Sequence, residues 1–190
     1  MAAASKHKEN LVQTAAELFR KQGYAATGLK QILEISGAPK GSLYHYFPEG
    51  KESLGAAAVN LAGKAASKTL LGLKEKANSP ADFVAQYCDQ LASWMEASQF
   101  RSGCPIATTV LETCPQTTAI QTAGQEAFEN WIDIIAQVYR ETGCSNAEAR
   151  DYAISCIAAI EGALILSRTS SSTKPLCIVR DNLVAQCAGN

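Results

Sequence analysis

The sequence has few of the residues on which most catalytic and metal sites depend. Of its 190 residues only two are histidines, His7 and His45, and both lie in the first quarter of the chain. The seven cysteines begin at Cys88, and no two of them form a Cys-x-x-Cys pair. The sequence therefore offers no Cys–His nucleophilic pair, zinc cluster or phosphate-binding glycine loop. We expect no enzymatic activity, no metal and no cofactor.

Long apolar segments and prolines are scarce as well. The N-terminus has no apolar signal core, and no stretch approaches the ~20 apolar residues of a membrane helix. Seven cysteines without a pairing pattern fit a reducing compartment, where thiols stay free. We therefore expect a cytoplasmic protein with no membrane partner. Only six prolines and frequent alanines favour helices.

The net charge of -1 hides an uneven distribution. Residues 1–51 carry seven Lys or Arg and four Glu, a net charge of +3, whereas residues 52–190 have a net charge of -4. A basic N-terminal segment on an acidic body is compatible with nucleic-acid binding, although the overall charge is not.

Apolar residues recur at helical spacing along the whole chain, and no strand alternation is visible. Glycine, proline and serine clusters separate the periodic segments, for example at Gly23, Ser36-Gly37 and Asn78-Ser79-Pro80. We predict an all-α fold of about nine helices. Its organisation would be a three-helix helix-turn-helix domain at 1–50, a connecting helix at 51–78, and a helical bundle for ligand binding and dimerisation at 79–190.

The first ~47 residues contain three predicted helices, with a tight turn between the second and the third. Lys40 to about Tyr46 forms the third helix, which in a helix-turn-helix lies in the major groove. Leu43 and Phe47 are spaced to pack inward against Leu18, Phe19 and Ile32. Lysine, serine, tyrosine and histidine side chains remain for phosphates and base edges.

Several motifs at fixed spacing resemble the DNA-binding domain of TetR-type repressors. They are Gly23-Tyr24-x-Ala26-Thr27, Ile32, Ser36-Gly37, Lys40-Gly-Ser-Leu-Tyr-His-Tyr-Phe47 and Lys51-Glu52-x-Leu54. The resemblance implies a repressor that binds double-stranded operator DNA. It also implies DNA contacts from Thr27, Lys30, Lys40, Gly41, Ser42, Tyr44, His45, Tyr46 and Lys51.

One extra residue between Phe47 and Lys51 departs from the common family pattern. The form Phe-Pro-Glu-Gly-Lys-Glu resembles a branch that includes regulators of lincomycin- and flavonoid-responsive efflux. The segment Phe100-Arg-Ser-Gly-Cys-Pro-Ile106, followed by Leu111-Glu112, is similar to the same branch.

The C-terminal bundle is where the resemblance implies a small hydrophobic effector. The candidate ligand-binding residues are mostly aromatic or apolar side chains at helical spacing, with a few polar ones: Trp94, Met95, Phe100, Thr108, Leu111, Glu112, Phe128, Trp131, Ile135, Tyr139 and Glu161. Small residues are frequent in the predicted helix 146–168. Together with the helix 176–187, it resembles the dimer face of the family, which implies a homodimer.

A second interpretation keeps DNA binding but changes the signal. Cys104, Cys114 and Cys144 lie near loops, so one of them could make the protein a redox-responsive regulator. Comparing DNA binding with and without an oxidant separates this alternative from a small-molecule signal.

Overall fold

A computed structural model describes residues 2–188, with side chains from 6 to 187. Over this range the chain forms nine helices and no strand, so the prediction of an all-α fold with about nine helices is confirmed. In order they are α1 (Ala2–Gln22), α2 (Leu29–Ser36), α3 (Lys40–Tyr46), α4 (Lys51–Lys74), α5 (Pro80–Ala97), α6 (Ala107–Thr113), α7 (Thr118–Arg140), α8 (Asn146–Ser170) and α9 (Lys174–Ala188).

The helix ends follow local chemistry. Gly37 ends α2 in the left-handed region at φ 66°, where its N–H donates to the Leu33 carbonyl, as expected of a glycine C-cap. Ser79 caps α5, and Ser145 forms a full capping box with Glu148 at the start of α8. The Ser145–Glu148 contacts also lower the pKa of the Glu148 carboxyl.

The chain groups into two compact units. The first comprises Met1–Ala65 and Cys104–Phe128, and the second comprises Ala66–Gly103 and Glu129–Asn190. The core of the first unit joins α1, α2, α3 and the start of α4 through Leu11, Phe19, Ile32, Leu43, Phe47 and Leu54. As predicted, Leu43 and Phe47 pack inward with Phe19 and Ile32, while Leu18 is only partly buried beside them.

The second unit is built around contacts among α5, α8 and α9. Phe83, Met95, Ile135 and Ile160 are almost completely buried there. Arg180 of α9 donates to Asp89 of α5 at 2.7 Å, which ties these two helices at the surface. Exposed pairs of this kind add at most about 1 kcal/mol, so apolar packing holds the unit together.

One side of α8 remains apolar and exposed. Ile154, Ile165 and Leu166 are 43%, 57% and 59% exposed, and Ile178 of α9 is 51% exposed. By length and composition alone α8 is apolar enough to cross a membrane, with a mean hydropathy of 1.3 and one third of that window buried. An apolar face of this size on a water-exposed helix is typical of a protein–protein contact surface.

Candidate nucleic-acid interface

The α2–turn–α3 segment presents one side of a short helix to solvent. Pro39 precedes α3 in an extended conformation, and the Ser42 N–H bonds back to its carbonyl at 2.9 Å. Leu43 is fully buried and Phe47 is 4% exposed, which fixes the rotation of α3 about its axis. Lys40, Gly41, Tyr44 and His45 are exposed as a consequence.

The remaining α3 candidates are less accessible. Ser42 and Tyr46 are half-buried, and the Tyr46 ring meets the His45 ring edge to face at a centroid distance of 4.7 Å. Edge-to-face packing is a favourable arrangement for two such rings. The structure thus brings the α3 candidates onto one short helix, where Tyr44 (49% exposed) and His45 are exposed aromatic side chains.

Three predicted contacts lie outside α3. Lys30 is exposed on α2, where its ammonium lies 3.8 Å from Glu34 in a weak surface ion pair. Thr27 is completely buried, and its hydroxyl donates to the Gly23 carbonyl at 2.7 Å. The Thr27 side chain therefore stabilises the turn before α2 in this structure.

Lys51 is the third of these residues, at the first position of α4. Its ammonium donates to the Ala25 carbonyl at 3.4 Å and lies 4.4 Å above the Tyr24 ring centroid. Burial lowers the pKa of Lys51, and the charge of Glu112 opposes that shift. The predicted phosphate contact from Lys51 would require these bonds to be shared or exchanged.

The predicted effector residues fall in both units. Thr108, Leu111, Glu112 and Phe128 belong to the first unit, and the other seven belong to the second. In the first unit Leu111 is 76% exposed, and the Glu112 carboxylate accepts a hydrogen bond from the Ala25 N–H. Nothing in the sequence signalled this contact, which joins residues 87 positions apart.

In the second unit the candidates differ sharply in exposure. Met95, Trp131, Ile135 and Tyr139 are buried, whereas Trp94 is 47% exposed and Glu161 is half-buried. Tyr139 stacks on Tyr152 at 5.2 Å, and burial raises the pKa of its hydroxyl. An open cleft of about 620 Å³ is lined by Glu96, Gln99, Phe100, Ser171, Ser172 and Thr173, which includes one effector candidate, Phe100.

The cysteines named as redox candidates differ in their surroundings. Cys104 is buried in the first unit, whereas Cys114 and Cys144 are half-buried. Cys88 and Cys156 are buried in the second unit, and burial raises the pKa of Cys88 to about 12. A thiol with a raised pKa is a poor nucleophile, so these two buried cysteines are structural.

Comparison with known proteins agrees with this geometry. Residues 11–58 match the family "Bacterial regulatory proteins, tetR family", and residues 80–182 match "Transcriptional regulator LmrA/YxaF-like, C-terminal domain". The chain belongs to the TetR family. It is a DNA-binding transcriptional regulator of the LmrA/YxaF-like group and not an enzyme.

Two curated relatives of this TetR-family chain come from Bacillus subtilis. The HTH-type transcriptional regulator LmrA is 34% identical over 169 residues, covering 89% of this chain and 90% of the relative. The uncharacterized HTH-type transcriptional regulator YxaF is 32% identical over 176 residues, covering 93% and 92%. A TetR transcriptional regulator from Legionella pneumophila superposes with a TM-score of 0.83 at 23% identity, covering 95% and 96%, which supports the fold.

Proposed function

We propose that the protein is a cytoplasmic, homodimeric repressor that binds operator DNA through α3 and leaves it when a small hydrophobic effector binds. The exposed face of α3 is the observation that carries this proposal. Lys40, Tyr44 and His45 offer donors and acceptors there, while Leu43 anchors the helix from the opposite side. A short helix with a polar, aromatic face suits the major groove.

Gly41 adds a second argument for DNA contact at α3. A glycine inside a helix is about 1 kcal/mol less favourable than alanine. A Cβ added at Gly41 would meet no atom within 4 Å, so packing within the chain does not require glycine there. By contrast, a Cβ at Gly55 would lie 2.8 Å from Ile120. Glycine at position 41 therefore leaves the exposed backbone of α3 open to close approach by a ligand, and DNA is the ligand that this face would meet.

The proposed homodimer uses the exposed apolar side of α8 with α9. A dimer presents two copies of α3 to two half-sites, which one copy cannot do. Burial of Ile154, Ile165, Leu166 and Ile178 against a second copy would remove these side chains from water. The predicted ranges 146–168 and 176–187 lie within α8 and α9.

The proposed effector acts by shifting a population of conformations. It must bind one arrangement of the dimer better than another, and the favoured arrangement must space the two α3 helices wrongly for the operator. Trp94 and Phe100 can meet a small molecule without unfolding, because both are partly exposed. The buried candidates Met95, Trp131, Ile135 and Tyr139 would contact it after local repacking.

Selection of DNA from a random pool tests the proposal directly. We expect the wild-type protein to select a palindromic duplex whose half-sites are about 34–36 Å apart or a multiple of that distance. A flavonoid, chosen from the resemblance of the Phe47–Lys51 segment, should release this duplex in an anisotropy titration and change tryptophan fluorescence. The absence of any selected sequence would remove the proposal, and a flavonoid without effect would remove only its effector class.

The redox alternative predicts that oxidation weakens DNA binding, whereas a small-molecule signal predicts that oxidation has little effect. We expect treatment with the thiol oxidant diamide to leave affinity for the selected duplex within about 2-fold, because every cysteine lies at position 88 or later, outside the segment 27–51 that carries the proposed DNA contacts. Size-exclusion chromatography under non-reducing conditions serves as the control for intermolecular disulfides. Loss of binding that is prevented by Cys114→Ser or Cys144→Ser would establish the redox signal instead.

A further inference from the structure

The turn between α1 and α2 is held by a side chain from a distant part of the sequence. Glu112, on α6, accepts a hydrogen bond from the Ala25 N–H at 2.6 Å through Oε2. This is a short, solvent-exposed bond to a carboxylate, and hydrogen bonds to carboxylates are among the stronger ones in proteins. Both residues belong to the first unit, together with α2 and α3.

Gly23 makes room for this carboxylate. Its φ of +91° lies in the region that glycine adopts without strain, and its N–H closes α1 on the Phe19 carbonyl at 3.0 Å. A Cβ at this position would overlap Oε1 of Glu112. The bare backbone of Gly23 therefore serves both the turn and the approach of α6.

Lys51 of α4 binds the same residue, Ala25, at its backbone carbonyl. Its ammonium donates to the Ala25 carbonyl at 3.4 Å, whereas Glu112 accepts from the Ala25 N–H. Ala25 is thus bound by an anion from α6 and a cation from α4. The charge of Glu112 also favours the protonated form of Lys51, although burial of the lysine opposes it.

The Gly23–Thr27 turn leads directly into α2 and α3, the helices proposed to bind DNA. Thr27 closes it with a hydroxyl bond to the Gly23 carbonyl, and Gly28 then begins α2 by accepting the Ile32 N–H. Ile32 of α2 and Leu43 of α3 share one buried core. A displacement of the Gly23–Thr27 turn would therefore be transmitted through α2 to α3.

We propose that Glu112 is a positioning residue for DNA binding, which fixes the Gly23–Thr27 turn through the Ala25 N–H and so orients α2 and α3. The proposal rests on the proposed function, because its main measurement is binding of the selected duplex. It also gives Glu112 a role different from the effector contact predicted from sequence.

The direction of the change in DNA affinity distinguishes a positioning role of Glu112 from a purely electrostatic one. A carboxylate repels DNA, so its removal alone should strengthen binding. If Glu112 positions the turn, Glu112→Ala should instead weaken binding of the selected duplex by about 10-fold, as the loss of one charge-assisted hydrogen bond does. Affinity for an unrelated duplex should stay the same or rise, because non-specific binding does not depend on the orientation of α3.

Two further variants sharpen the test. Glu112→Gln keeps an oxygen acceptor of the same reach, so we expect it to retain affinity within about 3-fold of wild type. Glu126→Ala is the matched control: it removes an exposed glutamate from α7 in the same unit, and we expect slightly stronger binding of both duplexes. Circular dichroism of all variants should match wild type.

Amide hydrogen exchange measures the turn without DNA. In Glu112→Ala we expect exchange at Ala25 to accelerate by about 10-fold, with the Ile32 and Leu43 amides unchanged. Wild-type duplex affinity in Glu112→Ala, unchanged exchange at Ala25, or equal losses in Glu112→Ala and Glu112→Gln would each overturn the proposal. If the wild-type protein selects no duplex, the proposed function fails, while exchange at Ala25 still tests the contact itself.

Discussion

Tyr44→Ala and His45→Ala should each abolish sequence-specific DNA binding without unfolding the protein. Both side chains are exposed on α3, so their removal costs the core almost nothing. A contact to a base edge contributes about 1–3 kcal/mol of discrimination, and a dimer loses two copies of it. The expected loss for the selected duplex is therefore roughly 30-fold to 20,000-fold.

Anisotropy titrations with the selected and an unrelated duplex measure this effect. Binding of the unrelated duplex should change little, since it depends on phosphate contacts. Lys40→Ala provides the contrast, because loss of a phosphate contact should weaken both duplexes alike and lower the dependence on salt. If both α3 variants bind the selected duplex with wild-type affinity, then α3 is not the reading helix.

The helices of the N-terminal unit could be predicted because their signals are local. Gly23 and Gly37 adopt left-handed φ values that favour glycine, and each ends a helix where the sequence predicts an end. Pro39 and the Phe47-Pro48 pair likewise bound α3, since proline restricts the residue before it. Such rules involve residues within a few positions, so they can be applied without the tertiary structure.

The partners of polar side chains could not be predicted in the same way. The resemblance predicts DNA contacts from Thr27 and Lys51 and an effector contact from Glu112, and the folded chain adds a hydrogen bond between each of them and the turn at 23–25. The choice depends on how α4 and α6 pack, which brings together residues up to 87 positions apart. The spacing of residues in the sequence does not predict such long-range contacts.

The exposure of aromatic residues in the predicted effector region could not be predicted from the sequence either. Trp94 and Trp131 both fit a predicted helical pattern, but Trp94 is 47% exposed and Trp131 is 3% exposed. Periodicity identifies the apolar side of a helix, and it does not distinguish a packed core from a binding surface. Fluorescence of Trp94→Phe and Trp131→Phe during the flavonoid titration would assign the signal to one of them.

Gly162→Leu should convert the protein into a folded monomer that no longer binds its operator. Gly162 lies inside α8, on the same side as the exposed Ile154, Ile165 and Leu166. Gly162 is exposed, and a Cβ there would meet no atom within 4 Å, so a side chain can leave the backbone without a clash inside the single chain. Replacing glycine also favours the helix by about 1 kcal/mol, so the monomer should be at least as stable as before.

In the proposed dimer, by contrast, we expect a second copy of α8 to fill the space beside Gly162. If two copies of α8 approach closely at Gly162, overpacking costs about 1–3 kcal/mol per copy, and the symmetric contact contains two copies. We therefore expect dimerisation to weaken roughly 30-fold to 20,000-fold. Sedimentation at several concentrations measures the dimer, and anisotropy with the selected duplex measures the loss of two-site binding.

Gly72→Leu is the matched control for this variant. Gly72 lies inside α4, where a Cβ also meets no atom within 4 Å, but it is not part of α8 or α9. If Gly72→Leu leaves the dimer intact while Gly162→Leu dissociates it, the dissociation results from the change to the α8 surface. A general effect of replacing a helical glycine is then excluded. If the Gly162→Leu variant still forms a dimer as the wild type does, the exposed face of α8 does not pack against a second copy of the chain. The apolar exposure of Ile165 and Leu166 would then need a different partner.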